Sequence, residues 1–363
     1  MFVYYDESIL SYVAGIRNRF GLSSSYKPNQ KFLDYINKKN PNKIFLILID
    51  GMGANLIQRK LSEDSFLNRN LFKKVTTVFP TTTTAAVTSI SNGKGPNENA
   101  WLGWMEYLEE IDDTIIPFLG ASYYDDIKYD EDICYKLIPF KTTVDELNEK
   151  GIKALELYPD FKKDGYKDIE EFKKRLIDLS YSDKQYVFAY YDKYDTLMHL
   201  EGPNSKKADE CLKEINDSLE EVSKNINDDT LLVIVADHGQ VEIDLPYYIK
   251  GSKYEKYMYR KLIIESRSPG FYVKEEYRNE FEKEFKKDFE NDFVLLDKKD
   301  ILDTKLFGYN DNHPKFESLL PDYLAIGKSR KVIRWEKIDT ELKGQHAGIL
   351  EDELYVPIVT YKK

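Results

Sequence analysis

The chain has 363 residues, of which 42% are hydrophobic and 32% charged, and carries a formal net charge of −11. Its length excludes a mini-protein, and its composition excludes a collagen-like or largely disordered chain. The acidic balance repels polyanions and so argues against a general binder of nucleic acid or acidic membranes; an anionic substrate needs a local positive charge, which a metal can supply.

The chain start lacks a basic leader followed by an apolar run, and no stretch approaches the roughly 20 apolar residues that span a bilayer. The sequence therefore reads as that of a cytoplasmic protein. Cys134 and Cys211 stand far apart with no ligand spacing near them, so they read as structural thiols. Only four histidines occur, at 199, 238, 313 and 346.

Residues 43–49 form an apolar run that reads as a buried strand delivering Asp50-Gly-Met-Gly53, a carboxylate followed by glycines where the backbone turns. Phe79-Pro-Thr-Thr-Thr-Thr-Ala-Ala-Val-Thr-Ser89 predicts a helix start, where a hydroxyl stands beside free backbone N–H groups and the positive end of the dipole. One of Thr81–Thr84 also serves as an N-cap. Residues 169–179 and 205–225 read as amphipathic helices, and 186–190 and 231–236 as further buried strands. The strand at 186–190 leads to Asp192-Lys-Tyr-Asp195-Thr-Leu-Met-His199, whose i, i+4 spacing puts Asp195 and His199 on one helical face, fit for one metal or for a local hydrogen bond. The strand at 231–236 leads to Asp237-His238-Gly239.

Strand and helix alternation predicts an α/β fold with a mainly parallel sheet covered by helices on both faces, and ligands at the carboxyl ends of its strands. Residues 247–335 differ in character, with short strands at 270–273 and 293–296 around a charged helix at 275–289, and read as a small α+β insertion. The expected division is a core of residues 1–246 and 336–363 and a cap-like insertion of 247–335. Gln345-His346-Ala-Gly then precedes a last strand at 354–361.

Any one of these motifs is ordinary, but their order is specific. Strand-Asp50-Gly, Phe-Pro-x-x-Thr83, Asp195-x-x-x-His199-x-x-Gly-Pro, Asp237-His238-Gly and a late His346 together resemble the alkaline phosphatase superfamily, over residues 43 to 361. The Asp-x-x-x-His-x-x-Gly-Pro element resembles its type I phosphodiesterase/nucleotide pyrophosphatase branch. Trp101-Leu-Gly-Trp104 and His346-Ala-Gly are similar to segments of smaller cytoplasmic bacterial members.

The resemblance implies two zinc ions, one held by Asp50, Thr83, Asp237 and His238 and the other by Asp195, His199 and His346. Manganese or iron also suits such oxygen and nitrogen ligands. It implies Thr83 as nucleophile, with Thr82 and Thr84 as the alternatives. The implied reaction is cleavage of phosphate diesters or pyrophosphates of nucleotide type through a phosphothreonine, with net retention at phosphorus. A phosphomonoesterase or phosphonate hydrolase is the alternative, and an inactive metal-stabilised binding protein ranks below both. A sulfatase lacks its Cys/Ser-x-Pro-x-Arg motif here. The expected partner is a small phosphate ester, with no nucleic-acid polymer and no membrane; the sequence is silent on oligomeric state.

The pattern departs from many relatives at Ala86, where an asparagine holds a phosphate oxygen, and at Asn99, where a histidine is common. Substitute oxyanion donors are the backbone N–H of Thr83 or Thr84 and the side chains of Asn92 and Asn99. Trp101 and Trp104, with Tyr107, suit either a stacking pocket or ordinary core packing. Arg267 suits either a phosphate contact or a surface salt bridge. His313 has no matching motif and reads as structural.

Overall fold

A computed structural model describes residues 3–130 and 132–363. Residues without any motif form two helices, α1 (Ile9–Arg19) and α2 (Gln30–Lys39), ahead of the first strand. There follow β1 (Lys43–Ile49), β2 (Leu71–Thr76), α3 (Thr83–Asn92), β3 (Ala154–Leu157), α4 (Ile169–Tyr181), β4 (Tyr186–Tyr191), α5 (Lys193–Glu201), α6 (Lys206–Asn225) and β5 (Thr230–Val235). Residues 247–335, the segment expected as a cap, contribute β6 (Ile263–Ile264), β7 (Pro269–Phe271), α7 (Arg278–Phe289), β8 (Phe293–Asp297) and β9 (Tyr323–Gly327), and β10 (Tyr355–Tyr361) is the last strand.

The main sheet has the order β2-β10-β5-β1-β4-β3. β1 pairs in parallel with β4 and β5, β3 pairs in parallel with β4, and β10 runs antiparallel to both β5 and β2. Five strands therefore point one way and β10 alone opposes them. β4 and β5 are buried along their whole length and β1 along nearly all of it, as expected of strands covered on both faces. α6 shows how the cover is built: Ser205 accepts from the Ala208 N–H at its start, and Leu212, Ile215, Leu219 and Val222 bury one stripe against the sheet.

β6, β7, β9 and β8 form an antiparallel four-stranded sheet in that order, backed by Phe281, Phe285 and Phe289 of α7. A second apolar cluster joins Phe79, Trp101, Leu102, Leu108 and Ile138 to Ile263, Leu296, Leu324 and Ile326. Residues 79–138 thus pack with these strands, and the turn of four threonines lies at that junction.

One fully buried ion pair fastens the cap to the end of the chain. Arg267 donates from Nε and Nη2 to Glu353 at 2.5 and 2.7 Å, and both side chains are solvent-free. Glu353 also accepts from the Gly348 and Leu350 N–H groups at 2.8 and 3.2 Å. Removing one partner leaves the other charge buried alone. Arg267→Ala is expected to lower the unfolding free energy by about 3–5 kcal/mol, read as a lower denaturant midpoint. A midpoint within experimental error of the parent would show that the pair does not hold the cap.

Candidate active site

Parallel strands deliver the acidic residues to one edge. Asp50 directly follows β1, Asp237 follows β5 by two residues, and the turn after β4 opens α5, whose first turn carries Asp195 and whose last carries His199. Gly51 takes φ +71°, and a Cβ at Gly53 would sit 2.8 Å from the Cα of Gly239, so both turns close at the same point. Asp50, Asp195, Asp237, His238 and His346 are all nine-tenths or more buried.

The site is compact. His238 Nε2 lies 3.5 Å from Asp50 Oδ1, 3.3 Å from Asp237 Oδ2 and 3.2 Å from Thr83 Oγ1. His199 Nε2 lies 3.1 Å from Asp195 Oδ2. The rings of His238 and His346 stack with centroids 3.8 Å apart, and those of His199 and His346 are 5.1 Å apart. Ligand atoms of Asp50, Asp237 and His238 form one group within 4.8 Å, and those of Asp195, His238 and His346 another. His238 is therefore common to both groups, whereas the resemblance gives it to one.

Backbone carbonyls set the direction of all three imidazoles. Nδ1 of His199 faces the Gly344 carbonyl at 2.8 Å, Nδ1 of His238 that of Gly239 at 3.0 Å, and Nδ1 of His346 that of Thr81 at 3.0 Å. A carbonyl only accepts, so each Nδ1 carries the proton and, in the neutral ring, each Nε2 offers a lone pair to the site. The carboxylates are placed similarly: Tyr190 donates its hydroxyl to Asp50 Oδ2, Gln240 donates to Asp195 Oδ1 at 2.7 Å, and the Gly51 and His238 N–H groups donate to Asp237 Oδ1 at 3.1 and 3.0 Å. Asp50 Oδ1 and Asp237 Oδ2 are buried with no hydrogen-bond partner. Orphaned carboxylate oxygens facing imidazole lone pairs are the donor set of a divalent cation, and these residues fit one.

The electrostatics express the same crowding. Burial, with Asp237 and Asp195 alongside, raises the Asp50 carboxyl well above the usual range, and burial raises Asp237 against the pull of His238. At Asp195 burial is outweighed by His199, His346 and His238, which hold the carboxyl below its ordinary value. Burial keeps His346 well on the neutral side.

The four threonines are not equivalent. Thr81 Oγ1 donates to the Gly348 carbonyl at 3.0 Å and accepts from the Ala347 N–H at 3.1 Å, and Thr82 Oγ1 donates to Glu265. Thr84 is buried with an unpartnered hydroxyl. Thr83 alone is partly exposed, and it begins α3, whose first turn receives no side-chain cap. The first N–H groups of that turn, left without a side-chain cap, are of the kind that accommodates an anion.

Of the remaining expected substrate contacts, Asn99, Trp101 and Arg267 are engaged within the fold and Asn92 stands away from Thr83. Asn92 ends α3, about 13 Å along the axis from Thr83, and accepts from the Lys94 N–H at 2.8 Å. Asn99 is spent on Ser89 Oγ at 3.2 Å and the Trp101 N–H at 2.9 Å. Trp101 is wholly buried against Phe118, Tyr135 and Phe140, with Nε1 donating to the Ile138 carbonyl at 3.1 Å, so it is core. Arg267 is neither a substrate contact nor a surface ion pair, since Glu353 and the carbonyls of Ser329 and Lys331 take its donors. Trp104 stays half-buried, with its N–H 3.3 Å from Glu265 Oε1. Tyr190, Gln240 and Glu265 join the site without a motif to announce them. A tyrosine next to the end of a strand paired with β1 is the one signal that could have been read.

A model of the type I phosphodiesterase / nucleotide pyrophosphatase family matches residues 102–332, more than half of the chain. The protein belongs to that family, and with it to the alkaline phosphatase superfamily. The matched range includes Asp195, His199, Asp237 and His238 and leaves out Asp50, Thr83 and His346. Among solved structures, murine ectonucleotide pyrophosphatase/phosphodiesterase 5 is similar at 15% identity and TM-score 0.69, over 88% of each chain. The human protein of that name is similar at 16% identity and TM-score 0.69, again over 88% of each chain. An inactive threonine-to-alanine variant of the murine protein in complex with AMP is similar at 15% identity and TM-score 0.68, over 88% of each chain. These likenesses show the fold. No curated protein matches the chain. Among the described residues no helix is long and apolar enough to cross a membrane.

Because Asp50 and Asp237 hold protons above the usual range, a cation must displace them, and its binding is expected to weaken as pH falls. Calorimetric titration of the metal-free protein with zinc across a pH series should show affinity falling toward the acid end. Affinity independent of pH would mean that these carboxyls are not the ligands.

Proposed function

We propose that the protein is a two-metal hydrolase that cleaves phosphate diesters or pyrophosphates of nucleotide type, with Thr83 as nucleophile. The carrying observation is the convergence of three imidazole Nε2 atoms with two orphaned aspartate oxygens around the only partly exposed threonine of its turn. Asp50, Thr83, Asp237 and His238 would hold one cation and Asp195, His199 and His346 the other, with zinc the metal that this mixed set suits best. His238 belongs to both groups of ligand atoms and could serve either cation.

The bound cations supply Lewis acidity, lowering the pKa of the threonine hydroxyl and neutralising charge on the departing oxygen. The chain supplies the rest. Thr83 Oγ1 attacks phosphorus as the bond to the leaving oxygen breaks, giving a phosphothreonine and the first product. Water then attacks the same phosphorus from the vacated side, the P–Oγ1 bond breaks, and the threonine is restored. Two inversions give net retention. The free N–H groups at the start of α3 hold a non-bridging oxygen throughout, taking the place of the side chain absent at Ala86. A cytoplasmic location belongs to the same reading, supported by Cys134 and Cys211, which are both free.

With zinc-loaded protein, Thr83→Ala is expected to lower kcat on bis(p-nitrophenyl) phosphate by at least on the order of 10³-fold while leaving the unfolding midpoint close to the parent's. Thr84→Val, which keeps shape and removes an unpartnered hydroxyl, should stay within about tenfold. The reverse pattern would move the nucleophile to Thr84. Faster hydrolysis of p-nitrophenyl phosphate than of the diester would make the protein a phosphomonoesterase.

A further inference from the structure

Thr82 begins α3 without capping it. Its backbone is extended, at φ −137° and ψ 150°, the ordinary conformation of an N-cap, and a threonine there normally accepts from an N–H of the first turn. Ser8, Thr142 and Ser205, extended and placed in the same way, each do so. The Thr82 hydroxyl instead donates to Glu265 Oε1. The first bond of the helix runs from the Ala86 N–H to the Thr82 carbonyl at 2.8 Å, so the N–H groups of Thr83, Thr84 and Ala85 precede the helical ladder, and no side chain caps them.

Glu265 is mounted to keep that hydroxyl. It is buried, and the same Oε1 accepts from the Trp104 N–H at 3.3 Å. Separate segments fix the backbone on either side of it. Ile264 exchanges hydrogen bonds with Met105 at 2.6 and 3.2 Å, while Ser266 donates its hydroxyl to Gln345 and accepts on its carbonyl from the Ile333 N–H at 2.9 Å. Ile264 is itself held at φ +73°, a conformation that persists only under such constraint. Forgoing a cap lowers the stability of a helix, and the helix affected here is the one that begins with the nucleophile. Its start stands at the ligand cluster: Thr83 Oγ1 lies 3.2 Å from His238 Nε2, and the orphaned Asp50 Oδ1 lies 3.5 Å from the same nitrogen.

We propose that Glu265 is a positioning residue: by holding the Thr82 hydroxyl it withholds the cap from α3 and reserves the N–H groups of the first turn for an oxygen of the phosphate attacked by Thr83. The proposal rests on the hydrolase reading above and adds how its oxyanion donors are kept uncapped. Glu265 touches no substrate in this role and acts through Thr82. Removing Glu265 releases the Thr82 hydroxyl, which then turns onto the N–H of Thr84 or Ala85 and competes with phosphate. Removing the hydroxyl as well takes the competitor away.

The experiment compares the parent with Glu265→Gln, Glu265→Ala, Thr82→Val and the double variant Glu265→Ala/Thr82→Val. Amide hydrogen exchange at Thr84 and Ala85 in the metal-free full chain reports the cap, and calorimetry of inorganic phosphate binding to the zinc-loaded chain reports the donors. Glu265→Ala should slow exchange at one of the two amides by about tenfold and weaken phosphate binding by about tenfold. The double variant should return both to within about threefold of the parent, and Glu265→Gln, whose amide oxygen still accepts from Thr82, should stay in that range. A double variant as impaired as Glu265→Ala overturns the proposal, because a merely structural loss is not repaired by a second deletion. Unaltered exchange in Glu265→Ala overturns it as well, and so does Glu265→Gln as impaired as Glu265→Ala, which would put the effect in the charge. Where Glu265→Ala fails to fold, Thr82→Val decides: phosphate binding within about threefold of the parent supports the proposal, and a loss of about tenfold overturns it. A parent that neither binds phosphate nor cleaves bis(p-nitrophenyl) phosphate, while Glu265→Ala still slows the exchange, overturns the hydrolase reading and keeps the withheld cap.

Discussion

Three aspartates forced together at one sheet edge are the constraint on which this architecture turns. Asp50, Asp195 and Asp237 lie out of water; Asp237 and Asp195 press on the ionisation of Asp50, and Asp195 on that of Asp237. Like charges at such spacing in a poorly polarisable interior repel strongly, and no lysine or arginine pairs with any of them among the described residues. Beyond the imidazoles, the arrangement suits positive charge from outside the chain's own side chains. Parallel strands are an economical way to produce it: β1 and β5 are neighbours in register, so the residues that follow their ends arrive side by side.

The imidazoles depend on backbone rather than on other side chains for their orientation. This ties distant parts of the chain to each other. Thr81 receives His346 on its carbonyl, while its hydroxyl bridges the Ala347 N–H and the Gly348 carbonyl. The turn that presents Thr83 and the turn that presents His346 are therefore one hydrogen-bonded unit. Ala347 is held at φ +87°, a left-handed conformation that alanine rarely adopts, and Ile264, next to Glu265, is held at +73°. Backbone strain of this kind persists only where surrounding contacts over-determine it.

Most of the fold was legible because buried parallel strands are unmistakable apolar runs. The expected strand at 43–49 matches β1, and the expected helix at 205–225 differs from α6 only at its cap. The site's order along the chain was legible too, since aspartates after strands and histidines at fixed offsets are local features. What remained hidden was non-local. Whether Trp101 lines a pocket or fills a core depends on Phe118, Tyr135 and Phe140, and whether Arg267 faces substrate depends on Glu353. Gln240 reaches Asp195 and Glu265 reaches Thr82 only through packing of separate elements.

The fastening between Arg267 and Glu353 has a consequence for how the protein can move. Glu353 holds the Gly348 N–H, Ser268 donates to the Ala347 carbonyl, and both attachments are made to the short segment that carries His346. Residues 247–335 and the segment that carries His346 are thus tied at two points, so a shift of the one against the sheet would carry that imidazole away from His199 and His238.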